Sequence, residues 1–250
     1  MIVKILLFTT FGSILSLVGG VILLFKKNLS AQFSLVLTSF AAGVLLATAF
    51  LDLFPDAVEQ LKNQTGAGGV FLPALSGIVL FFLFERTFIW FHHHHEDHGA
   101  KPTIWTIALG DGVHNFIDGV AISAAFLSNP GLGLITAIAV AAHEIPQEIA
   151  DFSVLLAQGV SKTKTLLFNL GSALTAYVGA ITMYLFSRQL EMYLGVIIAF
   201  TAGQFAYIAL SDLIPELHHT PNRNDTLVQS LTFLGGIGIV IITKNFIHGV

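Results

Sequence analysis

The chain has 250 residues, of which 54% are hydrophobic and 10% are charged, and its formal net charge is −4. Soluble domains carry roughly 25% charged residues, so a water-soluble fold is excluded and the composition predicts an integral membrane protein, with the lipid bilayer as its solvent. The small net charge gives no reason to expect a nucleic-acid partner, and the absence of cysteine excludes disulfides and thiolate metal sites.

Apolar segments long enough to cross a bilayer follow one another along the whole chain. A transmembrane helix needs about 20 residues to cross roughly 30 Å of hydrocarbon. Segments of this kind lie at 2–25, 33–55, 70–91, 104–128, 133–158, 164–187, 193–214 and 228–247. The first is long for a signal-peptide core and no small-residue cleavage site follows it, so we expect it to be retained. The sequence therefore predicts an all-α membrane protein with eight transmembrane helices in one domain, residues 1–250.

The distribution of basic residues predicts the orientation of the chain. Connections on one side of the membrane contain Lys26, Lys27, Arg86, Lys101, Lys162, Lys164 and Arg223, whereas the other side has Lys4, Lys62, Arg188 and Lys244. The cytoplasmic side of a membrane protein carries the excess of Lys and Arg. We therefore expect both termini to lie outside.

Spans 2 and 7 contain a repeated sequence. Residues 40–55 (FAAGVLLATAFLDLFP) and 200–215 (FTAGQFAYIALSDLIP) are identical at seven of sixteen positions without a gap, and an acidic residue follows each Pro. The two spans cross the membrane in opposite directions, and inverted repeats are typical of secondary transporters. The pattern predicts a 3+2+3 arrangement, in which the first three and the last three helices form an inverted repeat around two central helices.

Spans 4 and 5 carry ionisable residues that a bilayer would disfavour. Span 4 contains Asp111, His114, Asn115 and Asp118, and span 5 contains His143, Glu144, Gln147, Glu148 and Asp151. Ionisable groups inside a span usually mark a transport pathway or a binding site. Residues three or four apart share one face of a helix, so each span presents one polar stripe.

The two stripes are predicted to meet near the middle of the membrane. His114 and His143 each lie about ten residues into their spans, which at 1.5 Å per residue places both roughly 15 Å deep. The two helices are antiparallel, so imidazole and carboxylate ligands converge at one level. Such ligands without thiolate suit zinc, iron(II), manganese or cobalt.

Further carboxylates extend this site toward both membrane faces. By the predicted orientation, Asp111, Glu148 and Asp151 extend from the midplane toward the inside. Asp52 lies near the outer end of span 2, and Asp212 lies near the inner end of span 7. We interpret Asp52, Asp111, Asp151 and Asp212 as residues of an ion pathway.

The connection between spans 3 and 4 is rich in histidine. It contains His92, His93, His94, His95 and His98, and it lies on the predicted inner side. A mobile His-rich tract can bind metal loosely, but its spacing fixes no geometry. We interpret residues 92–101 as an accessory metal buffer or sensor.

The motifs of spans 4 and 5 resemble the paired signatures of the ZIP (Zrt-, Irt-like protein) metal transporters. These motifs are residues 114–119 (HNFIDG) and 143–148 (HEIPQE), and they are most similar to the subfamily with His-Glu-x-Pro-His-Glu. Supporting similarities lie at 81–86 (FFLFER), 151–152, Asn169 with 172–176 (SALTA), 206–210 (AYIAL) and 215–216. The resemblance covers essentially all eight spans.

The resemblance implies a carrier, not an enzyme, that moves divalent metal into the cytosol, with zinc as its transported substrate and no cofactor. Iron(II), manganese, cadmium and cobalt are alternative substrates. It further implies an elevator-like shift of helices 1, 4, 5 and 6 against the others, a bacterial-type member in the inner (plasma) membrane, and a homodimer.

The resemblance also implies a binuclear site between helices 4 and 5. His114, Asp118, His143 and Gln147 would line one subsite, and Asn115 and Glu144 would contribute to the second, with Asp118 able to bridge. The chain departs from the subfamily at Gln147, where the subfamily has His, and this weakens that subsite for zinc. It also has Asp52 where the family usually has His.

Other functions are compatible with parts of the pattern. His-Glu-x-x-His on a helix can bind zinc in a metalloprotease, and His143 and Glu144 begin such a motif, but Gln147 replaces its second His. A proton-coupled carrier of another substrate could use the same carboxylates, although the histidines favour metal. The ligands do not distinguish a carrier from a channel.

Overall fold

The described part of the chain folds into eight long helices. The structure is a computed structural model and describes residues 1–25, 31–62, 67–93, 104–218 and 223–248, in which no strand occurs. In chain order the helices are α1 Ile2–Phe25, α2 Gln32–Leu61, α3 Phe71–His93, α4 Ile104–Ser128, α5 Pro130–Ala157, α6 Lys162–Leu185, α7 Ser187–Leu217 and α8 Arg223–His248.

Six of these helices are long and apolar enough to cross a membrane, namely α1, α2, α3, α6, α7 and α8. Helices α4 and α5 are 25 and 28 residues long, but their polar residues lower their hydropathy. Between them, α4 and α5 contact all six of these apolar helices, as expected where ionisable groups face a bundle interior. The prediction of an all-helical, multi-pass membrane protein is confirmed.

Helices α2 and α7 each contain one wide, π-helical turn. These turns, Thr48–Leu53 and Ile208–Leu213, occupy equivalent positions of the repeated sequence. Each precedes a Pro, which has no N–H to donate to the carbonyl four residues earlier. In α2 this carbonyl belongs to Leu51, and it accepts a hydrogen bond from Lys244 Nζ. Helix α2 thus continues past Pro55, the predicted end of the span, because Pro is tolerated in the first turn of the next helical segment.

Helices α1 and α6 are interrupted in the middle. Helix α1 consists of Ile2–Gly12 and Leu17–Phe25, and α6 consists of Lys162–Ala173 and Thr175–Leu185. Buried hydroxyl groups lie at both interruptions: Ser13 Oγ donates to Thr9 O at 3.0 Å, and Ser172 Oγ lies 3.0 Å from Asn169 O. Such side-chain bonds satisfy backbone groups where no water is available.

Glycine allows three pairs of helices to approach closely. A Cβ placed on Gly119 of α4 would lie 1.9 Å from the Ala176 carbonyl oxygen of α6. The same applies to Gly43 of α2, at 2.1 Å from Phe233 O of α8, and to Gly203 of α7, at 2.0 Å from Ala74 O of α3. Small residues drive helix association in membranes by this kind of backbone contact. The pairs α4–α6, α2–α8 and α3–α7 are therefore rigidly packed.

Candidate metal centre

Four buried side chains of α4 and α5 converge at the centre of the helix bundle. They are His114, Asp118, His143 and Glu144, and one ligand atom from each lies within 4.8 Å of the others. On α4, His114 and Asp118 are one helical turn apart and therefore point to the same side. On α5, His143 and Glu144 are consecutive, yet both reach the group because α5 crosses α4 closely there.

The distances within this group match the dimensions of a tetrahedral zinc site. Bonds of 2.0–2.1 Å to zinc separate two tetrahedral ligands by about 3.3 Å. His114 Nε2 lies 3.2 Å from His143 Nε2 and 3.4 Å from Glu144 Oε1, and His143 Nε2 lies 3.2 Å from Asp118 Oδ2. Four of the spacings between these atoms, at 3.2–3.5 Å, are thus close to the edges of a metal tetrahedron, and a fifth, from His143 Nε2 to Glu144 Oε1, is longer at 3.9 Å.

The orientation of His143 also favours a metal. Its Nδ1 lies 2.9 Å from the carbonyl oxygen of Ala139, and a carbonyl can only accept a hydrogen bond. In the neutral imidazole the proton is therefore on Nδ1, which leaves the lone pair of Nε2 directed at the group. A backbone partner of this kind usually fixes the tautomer of a metal-binding histidine.

A second group of carboxylates adjoins the first and shares one residue with it. Asp111, Glu144 and Glu148 also have ligand atoms within 4.8 Å of one another. Asn115 Nδ2 donates to Asp111 Oδ1 at 3.0 Å, and Gln147 Nε2 donates to the same oxygen at 3.3 Å. Glu144 therefore belongs to both groups, whereas the amides of Asn115 and Gln147 contact Asp111.

The oxygen atoms at this site lack the partners that buried carboxylates require. Among the described residues, both oxygens of Glu144 and Glu148, Oδ2 of Asp118 and Oδ1 of Asn115 are buried without a hydrogen-bond partner. Within the same ranges no Lys or Arg forms an ion pair with them. Unpaired buried charge is strongly unfavourable, so the arrangement is suited to a multivalent cation.

A cavity of about 580 Å³ leads from this site to one end of the bundle. His114 and His143 lie at its inner end, and Gln147, Asp151 and Asp212 line its wall. The cavity is lined by residues 81–85 in the second half of α3 and by residues 107–114 in the first half of α4, so it opens on the side of the connection between these helices. Asp111, Asp151 and Asp212, predicted as pathway residues, thus share one cavity.

Asp52 lies apart from this cavity, toward the other end of α2. Its Oδ1 forms an ion pair with Lys244 Nζ of α8 at 3.3 Å, and the Asp52 side chain is 3% exposed. Near this end, Asp56 and Gln60 of α2 contact Ser128 of α4, whose Oγ donates to Asp56 Oδ2 at 2.8 Å. Polar contacts therefore join α2 to α4 and α8 away from the cavity opening.

The predicted His-rich tract can be located only in part. The backbone of His92 and His93 ends α3, whereas His94, His95 and His98 lie outside the described residues. The role of these histidines as an accessory buffer or sensor stays a prediction.

Two residues that contact the site were not identified from the sequence. Ser172 of α6, noted only within a family motif, donates through Oγ to Asp111 Oδ2. Gln204 of α7 is fully buried, and its Nε2 lies 3.4 Å from Asp118 Oδ1. An amide in the middle of an apolar span is the signal that could have revealed Gln204, because an unpaired polar group is costly there.

Known proteins are similar to this chain over most of its length. A family described as ZIP Zinc transporter matches residues 1–104 and 92–244. Zinc transporter ZIP10 of Danio rerio is 37% identical over 158 residues, which are 60% of this chain and 19% of that protein. Zinc transporter ZIP6 of Homo sapiens is 38% identical over 160 residues, 61% and 21% of the two chains. Zinc transporter ZIP13 of Pongo abelii is 29% identical over 225 residues, which are 84% of this chain and 67% of that protein. The chain spans about a fifth of the length of the first two relatives.

Proposed function

Because the chain belongs to the ZIP zinc transporter family, we propose that it carries divalent transition-metal ions, zinc foremost, across the membrane into the cytosol. Members of this family are transporters and not enzymes. The observation that carries the proposal is the group formed by His114, Asp118, His143 and Glu144, buried among membrane helices at distances that suit tetrahedral zinc. The metalloprotease alternative has no support, because Gln147, in place of its second His, contacts Asp111.

We propose two metal subsites that share one carboxylate. His114, Asp118 and His143 form the first with Glu144, and Asp111 and Glu148 form the second with the same Glu144. Oδ1 of Asn115, which is buried without a hydrogen-bond partner in the part of the chain that the structure describes, is available to the second subsite. Asp118, expected from the family to bridge, has one oxygen toward the histidines and the other toward α7, which favours Glu144 as the bridge.

Transport by an elevator-like movement fits the packing of the helices. The closest contacts of glycine with the backbone of another helix lie within α4–α6, α2–α8 and α3–α7, so none of these pairs is separated if α1, α4, α5 and α6 move against α2, α3, α7 and α8. In each half of the chain, an interrupted helix (α1 or α6) is followed by a helix with a π turn (α2 or α7). This order supports the 3+2+3 inverted repeat.

The direct test is metal flux into liposomes that contain the purified protein. We expect zinc to move down its gradient faster than in empty liposomes, and competing cadmium, iron(II), manganese and cobalt to reduce zinc flux to different extents. The fold should be monitored by its circular dichroism. Folded protein that moves none of these ions would contradict the proposal.

We predict that the cavity opens to the cytosol, with both termini outside. The chain has no cysteine, so a single introduced thiol can be labelled selectively. Glu216 is exposed on the cavity wall, and Lys62 is exposed beyond the last turn of α2, near the other end of the bundle. In intact cells, a membrane-impermeant maleimide should label Lys62→Cys but not Glu216→Cys, and lysis should expose both. Labelling of Glu216→Cys in intact cells would reverse the orientation.

A further inference from the structure

Gln204 is a buried amide that contacts the metal centre from outside α4 and α5. Its exposed fraction is 0%, and its Nε2 donates to Asp118 Oδ1 over 3.4 Å. Its Oε1 is buried without a hydrogen-bond partner among the described residues. In the repeated sequence Gln204 corresponds to the apolar Val44. Burying an amide at this depth costs free energy unless the amide forms hydrogen bonds.

The backbone that carries this amide is closely packed. The neighbouring Gly203 packs against the Ala74 carbonyl of α3, and a Cβ there would lie 2.0 Å from that oxygen. Asp118 is held in the same way, because the adjacent Gly119 packs against Ala176 of α6. The hydrogen bond from Gln204 to Asp118 therefore joins two rigid helix pairs at the level of the metal ligands.

The hydrogen bond makes the two oxygens of Asp118 different. Oδ1 accepts from Gln204, whereas Oδ2 lies 3.2 Å from His143 Nε2 and 3.5 Å from His114 Nε2. With Oδ1 engaged, Asp118 offers the ion one oxygen rather than two. A one-oxygen carboxylate keeps the coordination number at four, which zinc prefers in such sites. Two oxygens raise the coordination number, which suits manganese and other ions that prefer more oxygen ligands.

We infer that Gln204 is a positioning residue that sets metal specificity by holding Asp118 in one-oxygen coordination. The inference rests on the proposed function, since it names a determinant of the same site. Gln204 acts through its hydrogen bond to Asp118 and is not itself a ligand of the ion. Loss of the amide donor releases Oδ1, and the first subsite then accommodates ions of higher coordination number.

The test uses cobalt(II) as a probe, because tetrahedral cobalt absorbs visible light far more strongly than six-coordinate cobalt. The full chain in detergent receives one equivalent of cobalt(II), and zinc displaces it as a check on binding. Gln204→Leu removes the donor, and Gln204→Met removes it while keeping the length of the side chain. We expect each variant to bind cobalt with a clearly weaker visible absorption than wild type.

The same variants in liposomes report specificity. We expect the preference for zinc over manganese, measured by competition, to fall roughly tenfold, the size of effect expected for a hydrogen bond to a charged group. Thr201→Val is the matched control. Thr201 is buried one turn away on α7, and among the described residues its Oγ1 bonds only to Ile197 O of its own helix, at 3.0 Å.

The outcomes separate this inference from the proposed function. Unchanged cobalt absorption and unchanged preference in both Gln204 variants would overturn the inference, and so would equal changes in Thr201→Val. Wild-type protein that binds cobalt but moves no ion would refute transport, whereas the cobalt spectra would still decide the role of Gln204.

Discussion

Replacing Glu144 with glutamine is expected to reduce zinc transport by about a hundredfold or more. Glu144 is the residue common to both ligand groups, its exposed fraction is 0%, and within the described part of the chain neither of its oxygens has a hydrogen-bond partner. The amide keeps the size of the side chain but removes its charge and puts an NH₂ group in place of one oxygen. Removing one partner of a buried charged pair typically costs 3–5 kcal/mol, which corresponds to a factor of about a hundred or more.

The measurement is zinc flux in liposomes together with the number of zinc ions bound per chain. Glu216→Gln is the matched control, because Glu216 lines the same cavity but is exposed. We expect this control to transport close to the wild-type rate. We expect Glu144→Gln to bind fewer zinc ions than wild type. If Glu144→Gln transported at the wild-type rate, Glu144 would not be a ligand of the carried ion.

Replacing Gly119 with alanine is expected to destabilise the protein by about 3 kcal/mol or more. The added Cβ would lie 1.9 Å from the Ala176 carbonyl oxygen, and 2.9 Å from Ala180 N. Both contacts involve backbone, so no side-chain rotation can relieve them. Helices α4 and α6 must separate, and overpacking of this kind costs about 1–3 kcal/mol and occasionally more. Because Asp118 is the preceding residue, the first subsite should be distorted as well.

Gly171→Ala is the control for this substitution. Gly171 lies on α6, yet a Cβ placed there has no atom within 4 Å. We expect its effect on stability to stay within about 0.5 kcal/mol, as is usual for surface positions. The measurement is the apparent unfolding temperature in detergent, with monodispersity as a check. Equal unfolding temperatures for Gly119→Ala and wild type would mean that α4 and α6 are not packed as described.

The two predictions test different properties of the helices around one site. Glu144→Gln alters ligand chemistry in a correctly packed bundle, whereas Gly119→Ala alters the packing and leaves every ligand present. Small residues set the spacing between helices in such a bundle. The ligand atoms of His114, Asp118 and His143 can stay 3.2–3.5 Å from one another only while that spacing is kept. We therefore expect Gly119→Ala to weaken zinc binding even in the fraction that folds.

Composition and helical periodicity determined the membrane class, the helices and the core of the candidate site. The charge-poor, apolar chain can bury its surface only in lipid, and a bilayer admits helices whose backbone groups bond internally. The i, i+4 spacing of His114 and Asp118 placed both on one face of α4. Because antiparallel neighbours bring equal depths together, His143 was expected at the same level, and the structure places it there.

The relative rotation and position of the helices were decided only by the tertiary structure. Periodicity says which residues share a face, but not which face meets which neighbour. That choice depends on contacts such as Gly119 against Ala176, which set how α4 lies against α6. Only the structure shows that Glu144 belongs to both ligand groups. It also shows that the amide of Gln147 contacts Asp111 and that Asp52 forms an ion pair with Lys244. It also brings Gln204, 86 residues away in sequence, to Asp118, a contact that no local pattern encodes.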